Sequence, residues 1–193
     1  MTGVQTCALP ISGFAGLSAA RRLSELAPKA RIVVVEAGRI AEGACGRNSG
    51  FMIDLPHELG GQGYDGDGPE KNRKQIALNR QAIAFARSAV EAYGIDRNYF
   101  DPVGKINGAA GSKADRLNRA YAEALRELGE PSEYLDARTM EELTGSRYYV
   151  SGLHTPGTVT IQPAGYIRGL ARGLRAVGVR IYENAPEIGR AHV

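Results

Sequence analysis

Gly13-Phe14-Ala15-Gly16 leads straight into a helical run, Leu17–Leu26. The strand-like RIVVV (Arg31–Val35) follows and ends at an acid, Glu36, twenty residues after Gly16. Residues of these types at this spacing can build a dinucleotide site. Glycines let the N–H groups at the front of a helix reach a pyrophosphate, whose charge the positive helix end favours. An acid ending the next strand accepts hydrogen bonds from an adenosine ribose and disfavours a 2′-phosphate. Read as G-x-G-x-x-G, the motif has its second and third glycines at Gly13 and Gly16, with Ile11 in the first place. The first glycine normally makes the tight strand-to-helix turn, and a β-branched residue is ill suited to positive φ.

The two ends of the chain read differently from its body. Met1–Ile11, MTGVQTCALPI, shows no hydrophobic period and supplies no apolar strand before the glycines. It resembles a translated sequencing-library adapter, and Glu187–Val193, EIGRAHV, resembles the opposite adapter. Residues 1–11 and 187–193 are therefore set aside, as tags and fusion remnants are. Residues 12–186 are expected to be an internal piece of a longer protein.

The totals then exclude several function classes. Setting the ends aside leaves Cys45, His57 and His154, so neither an internal disulfide nor a cysteine-built metal site is expected. A reducing, cytoplasmic compartment is favoured. The 24 basic and 21 acidic residues are interspersed and leave a net charge of +3, with no polybasic block to engage nucleic acid. No apolar run is long enough for a membrane span.

The elements around the motif alternate helix and strand. A helix is expected over 13–26, with Leu17, Ala20, Leu23 and Leu26 on one face, then Ile32–Val35 as a strand buried on both sides. Ala37–Gly50 is a glycine-rich loop leading into 51–55. GGQGYDGDG (60–68) reads as a polar surface excursion. A long helix over 69–93 carries Ile76, Ile83 and Val90 at sevens, joined by Ala86 and Tyr93. Phe100–Ala110 reads as a strand with a glycine bend. Ser112 is expected to cap a helix in a capping box with Asp115, with Leu117, Ala120, Tyr121, Ala124, Leu125 and Leu128 as its buried stripe and Gly129 as its stop. A short helix from Asp136 to Leu143 and a strand over 148–154 follow. Pro163 starts a helix with the stripe Ile167, Leu170, Ala171 and Leu174; Gly178 ends it, and 179–182 is a strand.

The expected fold is α/β: a truncated Rossmann-like domain lacking its first strand (12–53 and 161–186), interrupted by part of an α+β substrate domain (54–160). The loop Ala41–Met52, AEGACGRNSGFM, separates flavin from nicotinamide proteins. With GFAGLSAARRL and TIQPAGYIRGLARGLRAVGVRIY it resembles the D-amino acid oxidase superfamily of FAD-dependent oxidoreductases, to which glycine oxidase, sarcosine oxidase and gamma-glutamylputrescine oxidoreductase belong, the last with the most similar loop. The resemblance covers most of 12–50 and 158–182.

The resemblance implies FAD as cofactor and an amine or amino acid as substrate, with hydride passing from the carbon that bears nitrogen to flavin N5. It places Gly13, Phe14, Ala15 and Gly16 along the pyrophosphate, and Glu36 with Ala37 at the adenosine. Ala44 and Cys45 would lie along the phosphates, and Asn48, Ser49, Gly50 and Phe51 beside the ribityl chain and the flavin ring. Arg47 is open between steadying the phosphates and packing over the loop. Cys45 is open between a reactive thiol and a small residue standing in for Ser. His57 and His154 are open between proton transfer and structure, and Tyr148-Tyr149 between packing and substrate contact. No catalytic residue is assigned. Two competing readings are a fragment with no complete FAD site and an NAD-dependent Rossmann enzyme, the latter disfavoured by the loop.

Overall fold

The computed structural model describes the backbone of residues 6–9, 12–56 and 69–186. His57 and the 60–68 excursion lie outside the described residues. In chain order the elements are β1 (Thr6–Leu9), α1 (Phe14–Leu26), β2 (Arg31–Val35), β3 (Phe51–Met52), α2 (Pro69–Tyr93), β4 (Phe100–Asp101), β5 (Lys105–Ala109), α3 (Ser112–Leu128), β6 (Glu133–Asp136), α4 (Ala137–Thr144), β7 (Ser151–Thr155), β8 (Val159–Ile161), α5 (Pro163–Ala176) and β9 (Arg180–Tyr182). They fall into two compact units. The first comprises Met1–Gly50, Ala86–Phe100 and Ile161–Val193; the second comprises Phe51–Phe85 and Asp101–Thr160.

The first unit is built on a parallel sheet of order β1-β2-β9. The expected missing first strand is corrected here. Thr6–Leu9 pairs in parallel with Arg31–Val34, with Thr6 opposite Arg31 and Leu9 opposite Val34. Parallel pairing is made by backbone groups alone, so the short run TCAL fills the place without a longer apolar signature. On β2, Ile32 and Val34 are buried while Val33 and Val35 are only half-buried. This strand is therefore covered more fully on one face than its uninterrupted apolar run predicts.

Helix α5 buries Ile167, Leu170, Ala171 and Leu174, as its spacing predicts. Its glycines form a second stripe. A Cβ on Gly165 would stand 2.6 Å from the Tyr99 ring, and one on Gly169 would stand 2.9 Å from Ile95. One on Gly173 would enter the Tyr93 side chain. This close packing is why Ala86–Phe100, read from sequence as part of the insertion, clusters with the first unit.

In the second unit an antiparallel sheet of order β5-β7-β6 carries α3. Ile106 pairs with His154 and Asn107 with Leu153, and Leu153 in turn pairs with Tyr134. Strand β6 was not foreseen. Helix α3 starts with Gly111 as N-cap and without a side-chain cap, so the expected Ser112 cap is replaced. Its buried face is also rotated from the expected stripe: Leu117 is 63% exposed, whereas Asn118 is buried. Asn118 Nδ2 donates to the Asn107 carbonyl at 2.7 Å, which satisfies a polar side chain at a core position. Asp115 accepts from the Ser151 hydroxyl at 2.6 Å, from Tyr134 at 2.8 Å and from Arg119 at 3.0 Å. These donors, Ser151 foremost, pull its carboxyl down to about 2.

The strand expected over 148–154 starts later, at Ser151. Tyr148 is exposed and meets Tyr149 edge-on at 5.2 Å. Strand β3 pairs antiparallel with β8, Phe51 opposite Thr160 and Met52 opposite Val159. Just beyond β3, the fully buried Asp54 takes Arg80 Nη2 at 3.1 Å, and the same guanidinium binds Glu130. A Cβ on Gly157 would enter the Asp54 carboxylate, so the 156–157 turn closes onto it.

Candidate cofactor site

Helix α1 begins with Gly13 as N-cap, its backbone extended at φ −83° and ψ −165°, with no side chain bonded across the helix start. The first intrahelical bond runs from Leu17 N–H to the Gly13 carbonyl at 3.1 Å. The N–H groups of Phe14, Ala15 and Gly16 therefore precede any intrahelical acceptor, as at every helix front. Gly16 and Leu17 are buried, which seats this end of the helix within the unit. The Phe14 ring stacks on Tyr166 with centroids 6.1 Å apart.

Glu36 stands where β2 ends. Its carboxylate is oriented by three donors: the buried Ser12 offers its N–H at 3.3 Å and its hydroxyl to Oε2, and Gly38 N–H reaches Oε1 at 3.1 Å. The Ser12 hydroxyl is the largest of the influences that hold the Glu36 carboxyl below its ordinary range. The backbone on either side is fixed too, with Glu36 N–H donating to the Tyr182 carbonyl and Ala185 N–H to the Glu36 carbonyl. Ser12 was not singled out from the sequence. The available signal was a small hydroxyl residue next to the glycine turn, opposite an acid in need of donors. Ala37 follows in the open.

The loop after β2 folds on itself through a single turn of 3-10 helix, Ala44–Gly46. Asn48 holds it: Nδ2 donates to the Ala44 and Cys45 carbonyls at 3.2 and 2.8 Å, and Oδ1 accepts from Gly50 N–H at 2.9 Å. Asn48 thus acts as a brace for the loop. A Cβ on Gly46 would strike the Ala41 carbonyl, and Ala41 itself lies at φ +66°. Gly50, at φ +75°, abuts the Ile161 carbonyl and accepts from Ile161 N–H at 2.7 Å. Both positions require glycine, one for space and one for conformation as well.

The loop and the helix front meet at one point. A Cβ added to Gly13 would lie 3.5 Å from Cys45 Cβ and 3.8 Å from its Sγ. The first unit therefore brings together Gly13–Gly16, Glu36 and Ala44–Cys45, while Arg47, Asn48 and Ser49 lie exposed on the loop. Phe51 opens the second unit in β3, half of its surface exposed. His154 belongs to the second unit, its Nε2 3.4 Å from the Val103 carbonyl. Cys45 is a half-buried free thiol.

These residues fit an anionic dinucleotide. Bare backbone at Gly13, N–H groups without an intrahelical acceptor and an oriented acid are what a diphosphate and a ribose need. Residues 12–192 match the family described as FAD dependent oxidoreductase, DAO.

The chain belongs to this family.

Among its relatives is a probable oxidoreductase, OrdL, of Haemophilus influenzae, 28% identical over 178 residues, or 92% of this chain and 41% of the relative. The protein of that name from Rhizobium meliloti is 25% identical over 173 residues, 89% of this chain and 40% of the relative. The chain thus spans about two fifths of the curated relatives it matches. Glycine oxidase from Bacillus cereus shares the fold with a TM-score of 0.72 at 19% identity, over 94% of this chain and 46% of the oxidase. This DAO-family chain accordingly shares its α/β fold with a little under half of the oxidase's length. Among its described residues, no helix is long and apolar enough to cross a membrane, and no group of three or more His, Cys, Asp or Glu is placed to hold a metal.

Proposed function

We propose that this chain carries the adenosine-diphosphate half of an FAD site, from a protein that oxidises a C–N bond of an amino acid or amine. The observation that supports it is the junction of Gly13 with Cys45, with Glu36 oriented beside Ser12. In this reading the N–H groups of Phe14, Ala15 and Gly16 hold the diphosphate, and the Glu36 carboxylate takes a ribose hydroxyl with its remaining lone pairs. Ala37 borders the adenosine. Ala44, Cys45 and Arg47 line the phosphates, while Asn48, Ser49, Gly50 and Phe51 follow the ribityl chain toward the ring. When bound, FAD supplies the acceptor for the hydride removed from the carbon bearing nitrogen; the protein supplies binding, alignment and electrostatics. The names of fold neighbours accord with that substrate class: glycine oxidase, an L-amino acid deaminase from Proteus myxofaciens and iminodiacetate oxidase from Chelativorans. The cofactor domain in this proposal is 12–53 with 161–186, joined by 86–100 through its packing on α5; the rest of 54–160 is the insertion, and the compartment is cytoplasmic.

The span of about two fifths of the relatives favours a second reading for the chain alone, in which motifs are present without a complete FAD site. Absorbance of the purified protein after FAD addition and gel filtration separates the two. Stoichiometric bound flavin means a complete site, and colourless protein that still binds ADP means the half-site. Colourless protein that ignores ADP refutes the proposal.

A further inference from the structure

Beyond the last pair of the β2–β9 ladder, Val35 opposite Tyr182, the two segments stay zipped together. Glu36 N–H donates to the Tyr182 carbonyl at 2.8 Å, Ala185 N–H to the Glu36 carbonyl at 2.9 Å and Asn184 N–H to the Gly38 carbonyl at 2.8 Å. Asn184, at φ +53°, supplies the bend in a conformation that Asn tolerates better than most residues. The next donor along, Ile40 N–H, finds a side chain instead. Glu183 Oε1 accepts from it at 2.8 Å, across 143 positions of sequence. Glu183 Oε2 accepts from Arg175 Nη2, in the last turn of α5, at 3.0 Å. The Ile40 N–H is the largest of the influences on the Glu183 carboxyl and, with Arg175, holds it below its ordinary range, so the acceptor is ionised at neutral pH.

The place of this clamp decides what it can do. Before it along the chain come Glu36, Ala37 and Gly38, the segment proposed to meet the adenosine. After it come Ile40 and Ala41, both buried, and then the Ala44–Gly46 turn proposed to line the phosphates. That turn has its own brace in Asn48, and the Ala41 carbonyl fills the space beside Gly46. Residues 37–39 have no such packing, since all three are exposed. What shapes them is the 182–185 segment on one side and, at the end of the loop, the Glu183 carboxylate.

We infer that Glu183 is a positioning residue for nucleotide binding, its carboxylate closing the 36–40 loop into the form that receives the adenosine. The inference rests on the proposed cofactor site and adds to it a residue that acts through the loop. A loop released at Ile40 samples more conformations, and affinity falls with the fraction of time spent in the competent one. The loss belongs to the adenosine end, because the front of α1 and the Asn48-braced turn keep their own supports.

The test titrates the full chain with ADP and with inorganic pyrophosphate, thermal unfolding confirming the fold of each variant. Glu183→Ala is expected to weaken ADP about fivefold to tenfold, the loss of one charge-assisted hydrogen bond discounted for a carboxylate that is 33% exposed. Pyrophosphate affinity is expected to stay within about twofold, since its contacts lie at the helix front. Glu183→Gln keeps an acceptor for Ile40 N–H and should hold ADP affinity within about threefold of the parent. Hydrogen exchange reads the clamp itself: the Ile40 amide should exchange at least about tenfold faster in Glu183→Ala and slow again with ADP. Unchanged ADP affinity in Glu183→Ala, an equal loss for pyrophosphate, or a Gln variant as weak as Ala overturns the inference. If Glu183→Ala does not fold, Arg175→Met takes its place: ADP weakened more than pyrophosphate supports the role, and equal or absent losses overturn it. A parent chain that binds neither ligand refutes the cofactor reading itself, whereas a parent that binds ADP beside an unaffected variant refutes only the role of Glu183.

Discussion

Replacing Gly13 by Ala separates the cost to the fold from the cost to nucleotide binding. The added methyl would meet Cys45 at 3.5 and 3.8 Å, ordinary van der Waals distances, and the backbone at φ −83° and ψ −165° admits any L-residue. The fold therefore loses only the preference of a helix N-cap for Gly over Ala, about 0.5–1 kcal/mol. For a chain of this size that lowers the unfolding midpoint by roughly 1–4 °C. The same methyl, however, fills the space between the helix front and the loop where the proposed diphosphate would touch backbone. Losing even one charge-assisted hydrogen bond, about 1.5–3 kcal/mol, weakens binding on the order of tenfold to a hundredfold. Calorimetric titration with ADP, paired with thermal unfolding, reads both effects on one sample. ADP affinity unchanged in Gly13→Ala would refute the placement of the diphosphate. A collapse of the fold would refute the packing argument.

Other consequences are equally accessible. Gly46→Ala drives a methyl into the Ala41 carbonyl and is expected to cost about 1–3 kcal/mol, as overpacking does. Gly43→Ala meets nothing within 4 Å and should be neutral or slightly stabilising; equal midpoints for the two variants would contradict the loop geometry. Glu36 has a depressed folded-state pKa, so its contribution is fully present above its unfolded value of 4.5 and fades as pH falls through the lower folded value. Ser12→Ala should flatten that acid-side loss of stability in urea titrations, and an unaltered pH profile would speak against the Ser12–Glu36 bond. Asp115 should titrate near 2 by carbon NMR and move up toward its ordinary value in Ser151→Ala; an Asp115 near 3.8 in the parent would negate the assigned donors. Alkylation of Cys45 should block ADP binding, and ADP should slow the alkylation, since the thiol lies against Gly13. Equal rates with and without ADP would place the nucleotide elsewhere.

Most of the first unit was legible because its signals are local. The glycine turn before α1, the β-branched run of β2 and Pro163 at the head of α5 each fix an element through short-range sterics. The first strand was illegible because parallel pairing asks little of side chains, and TCAL is too short to show a period. The glycine stripe of α5 was present in the sequence, but its partners Tyr93, Ile95 and Tyr99 are distant along the chain, so the membership of 86–100 could not be read locally. The buried face of α3 was misplaced for a related reason. Leu117 fits a helical stripe, yet the Asn107 carbonyl needs a donor and draws Asn118 inward instead. At the site, residue types announced Gly13, Gly16 and Glu36. Ser12 stayed hidden because its role depends on the end of β2 lying beside the helix front, a relation only the sheet creates.

The central claim is that the front of α1, the end of β2 and the turn at Cys45 form one diphosphate-and-ribose cradle. Amide shifts of the nitrogen-labelled chain on addition of ADP test it most directly. The account predicts movement confined to Gly13–Gly16, the neighbourhood of Glu36 and Ala44–Gly46, with a much weaker response to an analogue carrying a 2′-phosphate. Shifts centred elsewhere, or none while the fold is intact, would contradict it.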